Sequence, residues 1–193
     1  MTTLHSCAQE FLKTWPFMEA LLSIGEVHFT GSYALDTMTW PDIDLELEPV
    51  SKERKAPEVL GSLAAILFMD RRVSKVDFRN FTHHSRPGMT RGFCLSIQVL
   101  DEDLRLFDQG LFWKVDLWIL ENSAPSRLFM EKLLTQMTTH EKELILNYKR
   151  TWTKMYGRPP QMASYFLYQA VVFEGLKEEQ EILASLRERG VKV

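Results

Sequence analysis

Four acidic residues occupy alternate positions in the segment DIDLELEP, which runs from residue 42 to residue 49. These acids are Asp42, Asp44, Glu46 and Glu48. Side chains two positions apart on a β-strand point to the same face, so a strand here would carry all four carboxylates on one face. Carboxylates this close raise each other's pKa unless a cation lies between them. Oxygen-only ligands of this kind suit Mg²⁺ or Mn²⁺. The spacing therefore predicts an acidic strand face that is neutralised by a metal or by solvent.

A third acid for the same site is Asp116, which lies in the apolar segment FWKVDLWIL. Burying an acid in such surroundings is costly unless it is paired or metal-bound. If its strand lies beside that of Asp42 and Asp44, three carboxylates can hold two cations about 4 Å apart. Asp77, in SKVDFRNF, is the alternative third acid. We favour Asp116 because its strand is apolar on both sides, which indicates a central position in the sheet.

Two further features point to phosphate. Gly31 and Ser32 follow the strand-like run GEVHFT and precede a short predicted helix. Glycine permits close approach of the backbone, and free amides at the start of a helix bind phosphate oxygens. The Ser32 hydroxyl can add a donor. Lys114 lies two residues before Asp116, on the same predicted face, where it can either offset the acids or contact phosphate. A metal site beside a phosphate cradle indicates transfer of a phosphorus-centred group.

The residues as far as about 125 are predicted to form both helices and strands, and the residues after that are predicted to form helices only. Apolar residues at helical spacing predict a helix over residues 5–23, with a break at Pro16. A second helix is predicted to begin at Pro57. Strand patterns cover residues 27–30, 43–47, 73–81, 92–100 and 112–120. The link DEDLRLFDQG can hold a short strand of its own. Later helices are predicted after residue 126, at 164–174 and at 177–189, with a capping box at Thr138 and Glu141.

This segregated order predicts an α+β fold, a mixed β-sheet core with flanking helices and a C-terminal helical extension. We place the core with its N-terminal helix at residues 1–125 and a C-terminal helical region packed on it at residues 126–193. The net charge of −3 argues against a membrane surface or long duplex nucleic acid as a partner. The two cysteines lie far apart and suggest a reducing, cytoplasmic setting. We find no signal peptide and no apolar run long enough to span a bilayer.

The pattern Gly-Ser, nine residues, Asp-Ile-Asp and a later strand Asp resembles the nucleotidyltransferase superfamily that includes DNA polymerase beta. FWKVDLWIL and YGRPPQMASYFLYQAVVFEG also resemble a group of bacterial nucleotidyltransferase-like proteins. The resemblance covers Val27 to Leu120 and implies the nucleotidyltransferase fold. It implies that two of the acids bind both metals, Mg²⁺ or Mn²⁺. It implies that the third binds the catalytic metal and helps to activate an acceptor hydroxyl, and that the Gly-Ser turn holds the triphosphate.

Carried over to this chain, the resemblance makes Asp42, Asp44 and Asp116 the catalytic and metal-binding residues. Gly31 and Ser32 become nucleotide-binding residues, and we add Lys114 to them. The expected co-substrate is a nucleoside triphosphate, with ATP favoured, and the acceptor is a small molecule, a protein side chain or an RNA end.

Departures from the family pattern leave other interpretations open. Glu46 and Glu48 are additional acids that the family does not require, and Tyr33 to Asp36 replace the small or basic residues that often follow the Gly-Ser turn. A catalytically degenerate module that binds nucleotide or a protein partner without turnover is the alternative function. A weaker alternative is an acidic strand face that binds a basic protein and needs no metal.

Overall fold

The computed structural model describes residues 3–50, 53–83, 91–107 and 111–193. In the N-terminal part the helices are α1 (Leu4–Thr14), α2 (Phe17–Ile24), α3 (Gly31–Ala34) and α4 (Ala56–Leu67). The strands are β1 (Gly25–Thr30), β2 (Asp42–Pro49), β3 (Val73–Asn80), β4 (Gly92–Leu100) and β5 (Phe112–Leu120). The C-terminal helices are α5 (Ala124–Gln136), α6 (Thr139–Tyr156), α7 (Ala163–Tyr168) and α8 (Glu179–Glu188). The predicted α+β class and mixed sheet are confirmed.

Within the described residues the strands form one sheet in the order β1-β2-β5-β4-β3. β2 and β5 run parallel, whereas the other neighbours are antiparallel. The apolar residues of β2 and β5 point to one face; Ile43, Leu45, Val115 and Leu117 are fully buried there. Burying each such side chain stabilises the fold by roughly 1.5–3 kcal/mol. Because strand side chains alternate, this burial forces the acids of β2 and β5 onto the opposite face.

Two clusters of buried residues lie in the described parts of the chain. The first joins the apolar sheet face to α1, α2 and α4. The second lies mainly among α5 to α8 and includes Leu35, which follows α3. The predicted boundary at residue 125 falls in the first turn of α5 and stays a prediction.

Most local predictions agree with the structure. Thr138 caps α6 in a capping box with Glu141, and α6 ends at Gly157, whose φ is 76°. One prediction was wrong in detail, because Glu102–Phe107 forms a 3₁₀-helix rather than a short strand. The helix predicted at 164–174 is present, as α7 followed by a π-helix over Gln169–Phe173. The predicted link between β3 and β4 lies largely outside the described residues.

Candidate active site

The parallel pairing of β2 with β5 brings three of the predicted acids together. Asp42 lies opposite Lys114 and Asp44 lies opposite Asp116 in the register. Carboxylate oxygens of Asp42, Asp44 and Asp116 all lie within 4.8 Å of one another. The expectation that the Asp116 strand lies beside the acidic strand is therefore confirmed.

Asp77, the alternative third acid, lies elsewhere. It is on β3, at the opposite edge of the sheet from β1. Its carboxylate pairs with Lys75 at 2.7 Å and with Arg79 at 3.7 Å. The hydrogen bond from Lys75 is the main cause that lowers the pKa of Asp77. Asp77 is thus already neutralised by cations of its own strand and lies outside the three-acid cluster.

Lys114 lies between two of the acids. Its Nζ donates to Asp42 Oδ1 and to Asp116 Oδ2, in both cases at 2.8 Å. Burial opposes the charge of this ammonium group, but the carboxylates of Asp42, Asp116 and Asp44 outweigh that effect and raise the pKa of Lys114. Lys114 therefore stays charged and offsets part of the negative charge of the cluster.

Asp44, unlike the other two acids, does not form an ion pair with Lys114. Both residues are described by the structure, and no ion pair within 4 Å joins them. Burial, followed by repulsion from Asp42 and Asp116, raises the pKa of Asp44 well above its ordinary value. A carboxylate in this position is stabilised when it binds a proton or a cation. The oxygen donors of the cluster and the repulsion that Asp44 experiences from Asp42 and Asp116 fit Mg²⁺ or Mn²⁺.

Asp116 is oriented by a residue that sequence reasoning missed. Ser96 lies opposite Asp116 in the register between β4 and β5. Its hydroxyl donates to Asp116 Oδ1 at 2.6 Å, and both side chains are buried. Partners of this kind fix the orientation of a ligand carboxylate. The sequence feature that could have indicated this role is the single serine within the apolar run GFCLSIQVL.

The additional acids of β2 contact the start of α5. The Ser126 hydroxyl donates to Glu46, and Arg127 forms an ion pair with Glu48. Glu46 is 7% exposed, and burial is the main cause that raises its pKa. These contacts join the sheet to the C-terminal helices, which gives Glu46 and Glu48 a structural explanation. Glu26, His28 and Glu48 form a second group that could hold a cation, but Glu26 is 71% exposed in its side chain.

Gly31 lies where a side chain would collide with the acidic cluster. Its φ is +60°, a conformation that L-residues rarely adopt, and a Cβ atom would lie 2.6 Å from Asp44 Oδ2. Gly31 and Ser32 begin α3 directly after β1. A residue with a Cβ atom would therefore strain the backbone here and displace the Asp44 carboxylate.

A cavity of about 820 Å³ separates the acidic face from the C-terminal region. Its size falls within the range of about 300–1,000 Å³ that is typical of small-molecule sites. The predicted site residues that line it are Gly31, Ser32, Asp42, Asp44, Lys114 and Asp116. The cavity therefore brings all the predicted site residues to one surface.

The far wall of the cavity carries residues that the sequence did not single out. Lys149 is 2% exposed and donates to the Tyr168 hydroxyl at 3.3 Å. That hydroxyl also shares a hydrogen bond of 2.7 Å with Thr37. Trp40 and Arg158 line the same cavity, with the guanidinium 6.0 Å from the ring centroid. Lys149 lies on α6, whose sequence pattern indicated a capping box but gave no sign that this lysine faces the acids.

The raised pKa of Asp44 leads to a prediction for stability. An acid whose pKa is higher in the folded than in the unfolded state binds more protons when folded, so stability falls as pH rises from about the unfolded value of 3.8 through the folded pKa. Without metal at neutral pH, Asp44→Asn should therefore melt higher than wild type, by about 2–4 °C for each kcal/mol of relieved repulsion.

Scanning calorimetry of both proteins from pH 4 to pH 8 in a chelating buffer measures this difference. The gain should shrink towards pH 4, because the Asp44 carboxyl of the folded protein is then protonated and no longer repels Asp42 and Asp116. Equal melting temperatures at all pH values would show that Asp44 carries no unfavourable charge.

Comparison with known proteins supports the fold. A cytoplasmic RNA terminal U-transferase matches 88% of this chain with a TM-score of 0.56 at 14% identity. The polymerase core of TRAMP, an RNA surveillance complex, matches 94% of this chain with a TM-score of 0.51 at 13% identity. The matched regions make up 45% and 55% of those chains, so this chain spans about half their length. No family model and no curated protein sequence matches the chain.

These likenesses assign the class: the chain has the nucleotidyltransferase fold. The identity is low, so the likenesses establish the fold alone. No helix in the described ranges is both long and apolar enough to cross a bilayer.

Proposed function

We propose that this protein is a metal-dependent nucleotidyltransferase that moves a nucleoside monophosphate from a nucleoside triphosphate to an acceptor hydroxyl. The observation that carries the proposal is the convergence of Asp42, Asp44 and Asp116 on adjacent strands of a nucleotidyltransferase fold. The cluster lies on the wall of a cavity with space for a nucleotide. Asp42 and Asp44 would hold Mg²⁺ or Mn²⁺, which supplies charge neutralisation at the phosphates.

The reaction is an in-line displacement at the α-phosphorus. The acceptor oxygen forms a bond to this phosphorus, the bond from phosphorus to the bridging β-oxygen breaks, and pyrophosphate leaves. Asp116, oriented by Ser96, accepts the proton of the acceptor hydroxyl. Gly31 and Ser32 bind triphosphate oxygens at the start of α3, and Lys149 on the far wall supplies positive charge. Catalysis is mostly positioning and charge stabilisation, as in other phosphoryl-transfer enzymes.

The acceptor class stays open among a small molecule, a protein side chain and an RNA end. The matched U-transferase acts at the end of RNA, which supports an RNA end as the first acceptor to screen. ATP is the first triphosphate to test. The cytoplasm is the proposed location, in line with the sparse, unpaired cysteines.

Calorimetric titration tests the site directly. We expect wild type to bind an ATP analogue with a methylene bridge between the α- and β-phosphorus in the presence of Mg²⁺ or Mn²⁺, and not in the presence of chelator. Asp42→Asn/Asp44→Asn should weaken this binding by at least about 100-fold, because loss of a hydrogen-bond partner of a metal ligand already costs about 10- to 100-fold and here two ligands are changed. Asp77→Asn is the matched control, since it changes an acid on the same sheet that lies outside the cluster, and it should bind as wild type.

The absence of binding by wild type with either metal would contradict the proposal. Equal binding by wild type and by the double variant would show that the nucleotide binds at a place other than these acids.

One observation favours a second candidate, a module that binds nucleotide without turnover. The Lys114 ammonium bonds to two of the three acids, including the proposed proton acceptor. Metal-dependent binding with no pyrophosphate release across an acceptor screen would favour this module over the enzyme.

A further inference from the structure

Lys114 and a metal ion would compete for the same oxygens. A Mg²⁺ ion that bridges Asp42 and Asp116 must approach the oxygens of each to about 2.0–2.1 Å. Lys114 Nζ already bonds to Asp42 Oδ1 and Asp116 Oδ2 at 2.8 Å. A cation between these two carboxylates would have to expel the ammonium group.

The surroundings hold Lys114 in this position. The register sets it directly beside Asp42, on the strand next to β2. Its side chain is 22% exposed, and its Nζ lies 5.9 Å from the centroid of the Trp40 ring, within the range of cation–π attraction. Expulsion would break two charged hydrogen bonds, and the metal alone would then have to neutralise the carboxylates of Asp42 and Asp116.

The charge of the cluster suits one divalent ion. The three carboxylates and the one ammonium group that bonds to them leave two negative charges, which is the charge that one Mg²⁺ or Mn²⁺ neutralises. Lys149 is not counted here because it lies on the far wall of the cavity and bonds to Tyr168 rather than to the acids. Asp44, which Lys114 does not reach within 4 Å, and the remaining oxygen of Asp42 are available as ligands for that ion.

We propose that this site holds a single divalent cation, at Asp42 and Asp44, and that the Lys114 ammonium replaces a second cation between Asp42 and Asp116. The inference rests on the proposed function and goes beyond it, because it fixes the number of metal ions and assigns Lys114 to the acids rather than to phosphate. Lys114 then acts as a positioning residue that fixes Asp42 and Asp116.

Counting bound Mn²⁺ tests the inference. Protein is titrated with Mn²⁺ in the presence of the methylene-bridged ATP analogue, and free Mn²⁺ is measured by electron paramagnetic resonance. The analogue alone and Asp42→Asn/Asp44→Asn serve as blanks; the second blank also subtracts any ion at Glu26, His28 and Glu48. We expect one Mn²⁺ per chain in wild type and the spectrum of an isolated ion.

Lys114→Met should bind two Mn²⁺ per chain, with a spectrum that shows coupling between ions about 4 Å apart. Lys114→Arg keeps a cation in place and should bind one. Melting curves with Mn²⁺ establish that each variant is folded.

Two coupled Mn²⁺ ions in wild type, or a single ion in Lys114→Met, would overturn the inference while leaving the proposed function intact. If wild type binds neither Mn²⁺ nor the analogue above the blanks, the proposed function fails and the inference fails with it.

Discussion

Asp116→Asn should lower the rate of nucleotidyl transfer about 1,000-fold. The substitution keeps the shape of the side chain but removes the proton acceptor and one negative charge beside the metal. A positioned general base typically contributes about 100- to 10,000-fold to a rate, and each 1.36 kcal/mol changes the rate tenfold. The measurement is pyrophosphate release from ATP with Mg²⁺, with water as the acceptor until an acceptor screen identifies the natural one.

Asp77→Asn is the control for this prediction. Both acids lie on strands of the same sheet, and both were candidates for the third carboxylate. Asp77 pairs with Lys75 and Arg79 rather than with the cluster, so its loss should change the rate by less than about twofold, as expected for an exposed pair worth roughly 0–1 kcal/mol. A large loss with Asp77→Asn and none with Asp116→Asn would show that catalysis uses a different set of acids.

The two variants also have different expected effects on nucleotide binding. If Asp116 acts mainly on the acceptor, Asp116→Asn should leave binding of the methylene-bridged analogue within about tenfold of wild type while it removes turnover. A loss of binding as large as that of Asp42→Asn/Asp44→Asn would show instead that all three acids hold the same ion.

The acidic strand illustrates what sequence could predict. Alternation of acidic and apolar residues fixes which side chains share a face, and the apolar flanks of Asp116 indicate a central strand; both follow from the period of two in a strand. Those signals favoured Asp116 over Asp77 as the third acid, on the condition that its strand lies beside that of Asp42 and Asp44. The order itself requires long-range pairing, which no local pattern encodes.

The residues that were missed depend on that long-range pairing. Ser96 acts on Asp116 through the register of β4 with β5, twenty positions away in the sequence. Lys149 lies on α6 and approaches the acids from the opposite wall of the cavity. Each has a local pattern that an ordinary core strand or surface helix would also show, and only the tertiary contacts distinguish them.

Lys114 was placed correctly on the acidic face, but its two possible roles could not be separated from the sequence. Contact with phosphate and pairing with the acids require the same residue type at the same position. The distances of 2.8 Å to Asp42 and Asp116 decide for pairing in this structure.

Gly31→Ala should impair both folding and metal-dependent nucleotide binding. A φ of +60° costs an L-residue about 1–2 kcal/mol. That cost corresponds to a fall in melting temperature of roughly 2–8 °C for a chain of this size. The new Cβ would lie 2.6 Å from Asp44 Oδ2, so the carboxylate must move from its present place in the cluster. We expect binding of the methylene-bridged analogue with Mg²⁺ to fall at least about tenfold by calorimetry.

Gly157→Ala separates the two causes. Gly157 ends α6 with a φ of +76°, and a Cβ atom there would have nothing within 4 Å. The control therefore carries a similar backbone strain without the collision with Asp44, and it should lose stability while binding the analogue as wild type. If both variants lost affinity equally, the effect of Gly31→Ala would be general destabilisation. A selective loss in Gly31→Ala would instead tie the glycine to the position of Asp44, and through it to the metal that Asp44 is proposed to hold.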